Sequence, residues 1–131
     1  SLVGRLLHVE RLPAGHAVGY GATWRVPEGG RRIGIVGLGY NDGVPWRLSN
    51  CGQVAIAGVR VPIVGRVSMD SFAVDLHEVP HAQLGDDVVI FGAQDGVTLR
   101  PEELARTAGT SVYEVLVKVD AHRVQRLFVG D

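Results

Sequence analysis

Short apolar runs, separated by glycine- and proline-rich turns, occupy most of this chain ahead of Pro101. The runs are rich in valine and isoleucine, as β-strands are, and turn pairs such as Ala57-Gly58 and Asp95-Gly96 stand between them. Apolar residues at helical spacing appear only after Pro101. This pattern indicates a small closed barrel or a sandwich, and we predict an all-β fold, a small closed Greek-key-like barrel with two short helices near the C-terminus.

The boundaries of the predicted elements follow from turns and caps. The first helix is expected to begin at Pro101, because proline is favoured at the first helical position, and to end before Gly109. The second is expected from Ser111, which can form a capping box with Glu114. The predicted extended segments are 1–12, 19–26, 32–38, 54–56, 59–61, 71–76, 88–91, 97–99 and 123–129.

Length and composition limit the class of protein. A chain of 131 residues suits one domain, so residues 1–131 are predicted to form a single β domain. The net charge of −1 gives no reason to expect nucleic acid or an anionic membrane as partner. One cysteine, Cys51, and scattered histidines indicate neither a disulfide framework nor a metal site. With no signal peptide and no membrane-spanning apolar run, we expect a cytoplasmic protein.

Tyr20 stands between two glycines in the segment Gly19-Tyr20-Gly21. Glycine permits a positive φ or a close approach by a ligand or a second chain, so the phenol of Tyr20 is expected to be presented with little cover. Two interpretations stay open: a catalytic tyrosine, or a partly buried tyrosine in a bulged strand.

The segment from Gly39 to Arg47 is predicted to be an irregular loop, since it combines glycines, Asn41-Asp42 and Pro45. It also carries two aromatic residues and an arginine, which are side chains that bind ligands and that a loop serving only as a connection does not need. A role in binding is the resulting hypothesis.

Four stretches together resemble the C-terminal domain of alanine racemase. They cover essentially the whole chain in the family's order and spacing, and Gly65–Asp70 is the most specific of their motifs. The stretches are Val18–Trp24, Gly39–Gly43, Pro62–Asp70 and Tyr113-Glu114, and Arg123–Arg126 also fits.

The resemblance implies an enzyme that uses pyridoxal 5'-phosphate. An N-terminal (β/α)₈ barrel, absent from this sequence, would supply the lysine that holds the cofactor as a Schiff base, and two subunits would form a homodimer. Racemisation removes the α-proton from one face of the substrate α-carbon and returns a proton to the opposite face, so it needs a base on each face. The resemblance assigns the barrel lysine to one face and Tyr20 to the other.

The resemblance also assigns binding roles, each with an alternative from the residues alone. Tyr113 matches the residue that contacts the cofactor phosphate; otherwise it anchors a helix. Tyr40 matches an aromatic on the substrate path of the partner subunit; otherwise it packs on the surface. Met69 matches a residue beside the substrate carboxylate. Asp70 matches a polar residue of the path by which substrate enters, and Arg66 matches an arginine of that path. Their alternatives are a core methionine, a turn-capping aspartate and a solvated arginine.

Three residues depart from the family pattern or fall outside it. Trp46 stands where the family has an arginine, and arginine follows at Arg47, which puts substrate preference in question. Cys51 is not a family signature. Lys118, the single lysine, lies in the second predicted helix and is expected at the surface, so this chain alone lacks the cofactor anchor.

Two functional hypotheses follow. The first is the C-terminal domain of an isomerase, an alanine racemase that makes D-alanine for peptidoglycan biosynthesis; a serine-preferring or broad-specificity racemase is a near variant. The second is a non-catalytic β module used for dimerisation or ligand contact. Retention of Tyr20, Tyr113 and Met69-Asp70 together favours the first.

Overall fold

The computed structural model describes residues 1–119 and consists mainly of β-strands. Two helices come last in this part of the chain: α1, Pro101–Ala108, and α2, residues 112–119. The strands are β1 Leu2–Leu12, β2 Ala17–Val18, β3 Trp24–Arg25, β4 Arg31–Val36, β5 Gln53–Ile56, β6 Val59–Val64, β7 Phe72–Asp75, β8 Asp87–Gln94 and β9 Val97–Leu99. The predicted extended segment 123–129 lies outside the described residues. The mainly β class and the two late helices are confirmed.

Six strands form a closed cycle of antiparallel pairings. The order is β1-β4-β7-β6-β5-β8, and β8 pairs again with β1. Strands β5, β6 and β7 follow one another as hairpins, while β4 returns to pair with β7, so the order β4-β7-β6-β5 is a Greek-key arrangement. Closure matters because it leaves those six strands without an open edge.

Two hairpins turn where the sequence predicted tight turns. Ala57 and Gly58 both have positive φ, 52° and 76°, as do Asp95 and Gly96, 46° and 86°. Two successive residues with positive φ are typical of a type I′ turn, whose twist matches that of the flanking strands. These turns fix the registers of β5 with β6 and of β8 with β9.

Strand β7 is buried on both of its faces. The closed cycle of six strands is called the ring below. Phe72 and Val74 belong to the main core inside it, and Ala73 belongs to a second cluster beneath the β2–β3 hairpin. The apolar residues of β7 therefore alternate between two buried clusters, one on each face of the strand. Asp75 is buried with its carboxylate 3.1 Å from the Arg31 guanidinium.

The segment 19–26, predicted as one strand, is instead the end of a hairpin. Strands β2 and β3 pair on either side of a 3₁₀ turn, Tyr20–Ala22. Gly19, Gly21 and Ala22 have positive φ there, and a continuous strand cannot hold three such residues. Tyr20 consequently lies at a hairpin tip, and the bulged-strand interpretation is wrong.

The hairpin reaches one end of the ring by packing along its outer face. Val18 and Val26 contact Ile33, Val64 and Ala73 of β4, β6 and β7. At that end β4 finishes opposite the start of β7, with Val36 paired to Phe72, so the segments 37–52 and 65–71 meet there.

Both helices begin as predicted. α1 has Pro101 in its first turn, and it ends at Gly109, whose φ is 70°. In α2 the Ser111 hydroxyl accepts a hydrogen bond from the Glu114 N–H at 3.1 Å. The Glu114 carboxylate accepts one from the Thr110 hydroxyl. Within residues 1–119 no helix is long and apolar enough to cross a membrane.

Candidate functional site

The hairpin tip that carries Tyr20 is pressed against the loop between β6 and β7. A Cβ at Gly19 would lie 2.9 Å from the Arg66 amide nitrogen, and one at Gly65 would lie 2.8 Å from the Val18 carbonyl oxygen. A Cβ at Gly21 would lie 3.3 Å from the Arg66 guanidinium carbon. Because no Cβ fits at Gly19 or Gly65, these glycines allow the backbone of the hairpin tip to lie against the backbone at Gly65 and Arg66.

The turn that carries Tyr40 is bonded to the same loop from the other side. The Tyr40 N–H donates to the Ser68 carbonyl, and the Asn41 N–H donates to that of Met69, both at 3.0 Å. The Asp42 carboxylate closes the turn by accepting from the Gly39 N–H at 2.9 Å. The loop 65–70 is thus held between two glycine–tyrosine segments that are about twenty residues apart in sequence.

Ser49 and Asn50 hold this arrangement together, and the sequence analysis missed both. The Asn50 amide oxygen accepts from the Gly65 N–H at 2.6 Å, and its amide nitrogen donates to the Thr23 hydroxyl at 3.0 Å. The Ser49 hydroxyl accepts from the Val67 N–H at 2.9 Å. Asn50 has a φ of 60°, which asparagine tolerates better than most residues. A Ser-Asn pair indicates a turn in the sequence, but nothing there identifies partners so far along the chain.

The segment that carries Tyr40 and Trp46 and the loop 65–70 line an open cleft of about 550 Å³, whose lining does not include Tyr20. Trp46, which is 61% exposed, and Met69, which is 50% exposed, belong to its lining. The full lining is Tyr40, Trp46, Arg66, Val67, Ser68 and Met69. The structure therefore brings three of the predicted binding residues, Tyr40, Arg66 and Met69, into one cleft. Asp70 is exposed beside Met69 and is not part of the lining.

Tyr113 lies apart from this cleft, on α2. Its side chain is 78% exposed and sits in the first turn of the helix, so its hydroxyl can donate to an anion. One phenol hydroxyl suits a contact to a phosphate group, but one donor does not hold such a group.

A second, smaller cleft joins the two regions. Its volume is about 230 Å³, and Trp46 and Arg47 form one side while Glu114 and Lys118 of α2 form the other. The Arg47 guanidinium lies 5.7 Å from the centre of the Trp46 ring, a cation–π distance. Lys118 is exposed, as predicted.

Metal and thiol chemistry find no support in the described residues. Among residues 1–119 no group of three histidine, cysteine, aspartate or glutamate side chains could hold a metal ion. Cys51 is an exposed free cysteine, and its thiol donates to the Arg47 carbonyl at 3.1 Å.

One protein family matches almost the whole chain. Residues 1–128 match the family described as alanine racemase, C-terminal domain, and the chain belongs to that family. The alanine racemase of Stutzerimonas stutzeri is 48% identical over 130 residues, which cover 99% of this chain and 35% of that protein.

Solved structures agree with this assignment. Alanine racemase from Bacillus anthracis with bound L-Ala-P has a TM-score of 0.82 at 32% identity, over 89% of this chain and 29% of that one. Alanine racemase from Bartonella henselae with covalently bound pyridoxal phosphate has a TM-score of 0.82 at 30% identity, over 89% of this chain and 32% of that one. The chain spans about a third of the length of the relatives it matches.

Proposed function

We propose that this chain acts as the C-terminal domain of a pyridoxal-phosphate-dependent alanine racemase, which interconverts L- and D-alanine. The observation that carries the proposal is the packing of the Tyr20 tip and the Tyr40 turn on either side of the loop 65–70. A fold kept only as a spacer has no need for glycine contacts and backbone hydrogen bonds that bring two tyrosine-bearing turns against one loop beside an open cleft.

Tyr20 is the proposed base on one face of the α-carbon. Its position at a hairpin tip, between two glycines without side chains, suits a group that must reach a substrate held by another part of the protein. Racemisation needs a second base on the opposite face, which we assign to a lysine of the N-terminal domain. Pyridoxal phosphate, when bound, supplies an electron sink that stabilises negative charge at the α-carbon.

The cleft residues are proposed to guide and orient the amino acid. The Arg66 guanidinium is a donor for a carboxylate, and the exposed Met69 and Tyr40 side chains give an apolar wall. Asp70, exposed next to Met69, would limit the approach of anions from outside. Tyr113 is proposed to donate a hydrogen bond to the cofactor phosphate.

The exposed apolar side chains support a partner on this face. Tyr40, Trp46 and Met69 line the larger cleft, and Tyr113, Leu116 and Val117 are exposed on α2. Trp46 also borders the smaller cleft, whose α2 side includes Glu114 and Lys118. Exposed large apolar side chains grouped on a surface mark an interaction site. We propose that the N-terminal barrel and a second subunit cover it. The cytoplasmic location and the role in peptidoglycan biosynthesis stay predictions.

Exchange of the α-proton in D₂O tests the role of Tyr20. The full-length protein, with its N-terminal domain, is compared with Tyr20→Phe on L- and D-alanine. If Tyr20 is the base for the L-enantiomer, the variant loses washout from L-alanine by about 10²-fold or more and from D-alanine by much less. Equal exchange of both enantiomers in variant and parent would show that Tyr20 is structural, which favours the non-catalytic β module.

A serine-preferring or broad-specificity racemase is the second candidate, and Trp46 is the observation that favours it. An indole in the cleft lining replaces a charged group on the substrate path with an apolar surface. The same exchange experiment, run with serine and larger amino acids, separates the two. Faster exchange of any of these than of alanine would change the assigned substrate.

A further inference from the structure

Gly43 connects the turn that carries Tyr40 to helix α2, which carries Tyr113. It follows the 3₁₀ turn Tyr40–Asp42, and its N–H donates to the Tyr40 carbonyl at 3.3 Å. A Cβ at Gly43 would lie 2.9 Å from Val119 Cγ2, 3.2 Å from the Val119 nitrogen and 3.4 Å from its Cα. The backbone of the turn therefore lies directly against the backbone of the helix.

Both partners of this contact are anchored independently. The turn is bonded to Ser68 and Met69, and Val44, the residue after Gly43, is buried in the main core. Helix α2 inserts Val115 and Val119 into the same core. Close-packed interiors transmit displacement instead of absorbing it, so a shift at Gly43 moves the helix, the turn or both.

Gly43 meets two separate requirements. Its φ of 100° is a conformation that residues with a side chain rarely adopt, and its surroundings leave no room for a Cβ. Gly29 shares only the first requirement, because its φ is 91° while nothing lies within 4 Å of a Cβ built there. Substitutions at Gly43 and at Gly29 therefore distinguish the effect of backbone strain from the effect of the contact with Val119.

We propose that Gly43 is a positioning residue, which fixes the Tyr40 turn and the Tyr113 helix relative to each other. The proposal rests on the proposed function, in which Tyr40 lines the substrate path of the partner subunit and Tyr113 contacts the phosphate in its own subunit. Gly43 then links the two active sites of a dimer. Tyr113 lies six residues before Val119, about 9 Å along a stiff helix, so displacement at Gly43 reaches it.

Comparison of Gly43→Ala with Gly29→Ala in the full-length protein tests this link. Two quantities are measured: the dissociation constant of pyridoxal phosphate, by fluorescence titration of the cofactor-free protein, and KM for alanine. We expect Gly43→Ala to raise both by about tenfold, because small misplacements of binding groups are costly. Gly29→Ala, with the same backbone strain, should leave both within about twofold. Equal values in the two variants would overturn the proposal.

A second pair keeps the proposal testable if Gly43→Ala does not fold. Val119→Ala removes the atom nearest to Gly43 from the helix side, and Val79→Ala truncates another buried valine of the same core. Only Val119→Ala should weaken cofactor binding and raise KM together, and indistinguishable behaviour of these variants would contradict the link. Where Gly43→Ala folds, adding Val119→Ala should restore part of both values, since the shortest conflict is with Val119 Cγ2.

The outcomes separate this proposal from the proposed function. A parent protein that neither binds pyridoxal phosphate nor exchanges the α-proton would contradict the proposed function. A parent that does both, while the Gly43 and Gly29 variants behave alike, would contradict only the link through Gly43.

Discussion

Two glycines of the Tyr40 loop act for different physical reasons. Gly43 needs both its positive φ and the missing side chain, whereas Gly39 has an extended backbone with a φ of −142°, open to any residue. The requirement at Gly39 is space: a Cβ there would lie 2.3 Å from the Ser68 carbonyl oxygen and 2.4 Å from that of Met69. Both obstacles are backbone atoms, which cannot rotate away.

Gly39→Ala is therefore expected to separate the Tyr40 turn from the loop 65–70. We expect the free energy of unfolding to fall by about 1–3 kcal/mol, the usual cost of overpacking, when measured by urea denaturation. Gly37→Ala is the matched control, because its Cβ would meet mainly the exposed side chain of Leu7, which can move. A Gly39 variant as stable as the Gly37 variant would show that the turn can shift without loss.

At the scale of residues, the side chains that line the cleft could be predicted from the sequence, whereas the side chains that hold the surrounding segments in place could not. Tyr40, Arg66 and Met69 were predicted to bind together, and the structure brings them into one cleft. Asn50 was not predicted, because its bonds join Thr23 and Gly65, which are 27 and 15 residues away. A side chain that bonds a distant backbone group leaves no local pattern.

At the scale of elements, the β2–β3 hairpin is where prediction and structure differ most. The pattern from Gly19 to Val26 predicted one strand, since its apolar residues suit a sheet. The positive φ angles at Gly19, Gly21 and Ala22 interrupt the strand with a turn. The local sequence indicates only that glycine permits such a turn. The turn packs against Gly65 and Arg66, which belong to a different part of the chain, so its surroundings cannot be read from the local sequence.

Asn50 hydrogen-bonds both to Thr23 of this hairpin and to Gly65 of the loop 65–70, so its loss should loosen the tip at Tyr20. Asn50→Gly keeps the positive φ accessible but removes both side-chain hydrogen bonds, and we expect it to lower the free energy of unfolding by about 1–3 kcal/mol. Asn50→Ala should cost about 1 kcal/mol more, because alanine is strained at a φ of 60°. Urea denaturation gives both values.

The same variants connect the hairpin to the proposed chemistry. In the full-length protein, both should slow α-proton exchange from L-alanine more than from D-alanine, since only the Tyr20 side depends on the hairpin. Unchanged exchange in a destabilised Asn50→Gly variant would mean that the tip is held by its glycine contacts alone.

For the whole molecule, the closed cycle of strands joins residues that are far apart in sequence. The pairing of β1 with β8 links Leu2 to Phe91, and that of β1 with β4 links Leu12 to Arg31. Local patterns predicted most strands, because alternation and turns are local properties. The order of the strands was not predicted, since pairing depends on a shared core that no single segment encodes.

The ring has its own core, yet the proposed activity needs groups that this chain does not provide. We expect residues 1–131 alone to unfold cooperatively, because the core cluster draws on β1, β4 to β8 and both helices. We also expect this chain to bind a second copy weakly, to leave alanine unracemised and to form no borohydride-reducible adduct with pyridoxal phosphate. The exposed Lys118 lines the smaller cleft beside Glu114 and does not line the larger cleft, where the substrate path is proposed. A tight dimer in sedimentation, or an adduct trapped specifically on Lys118, would show that this domain is more self-sufficient than its surface suggests.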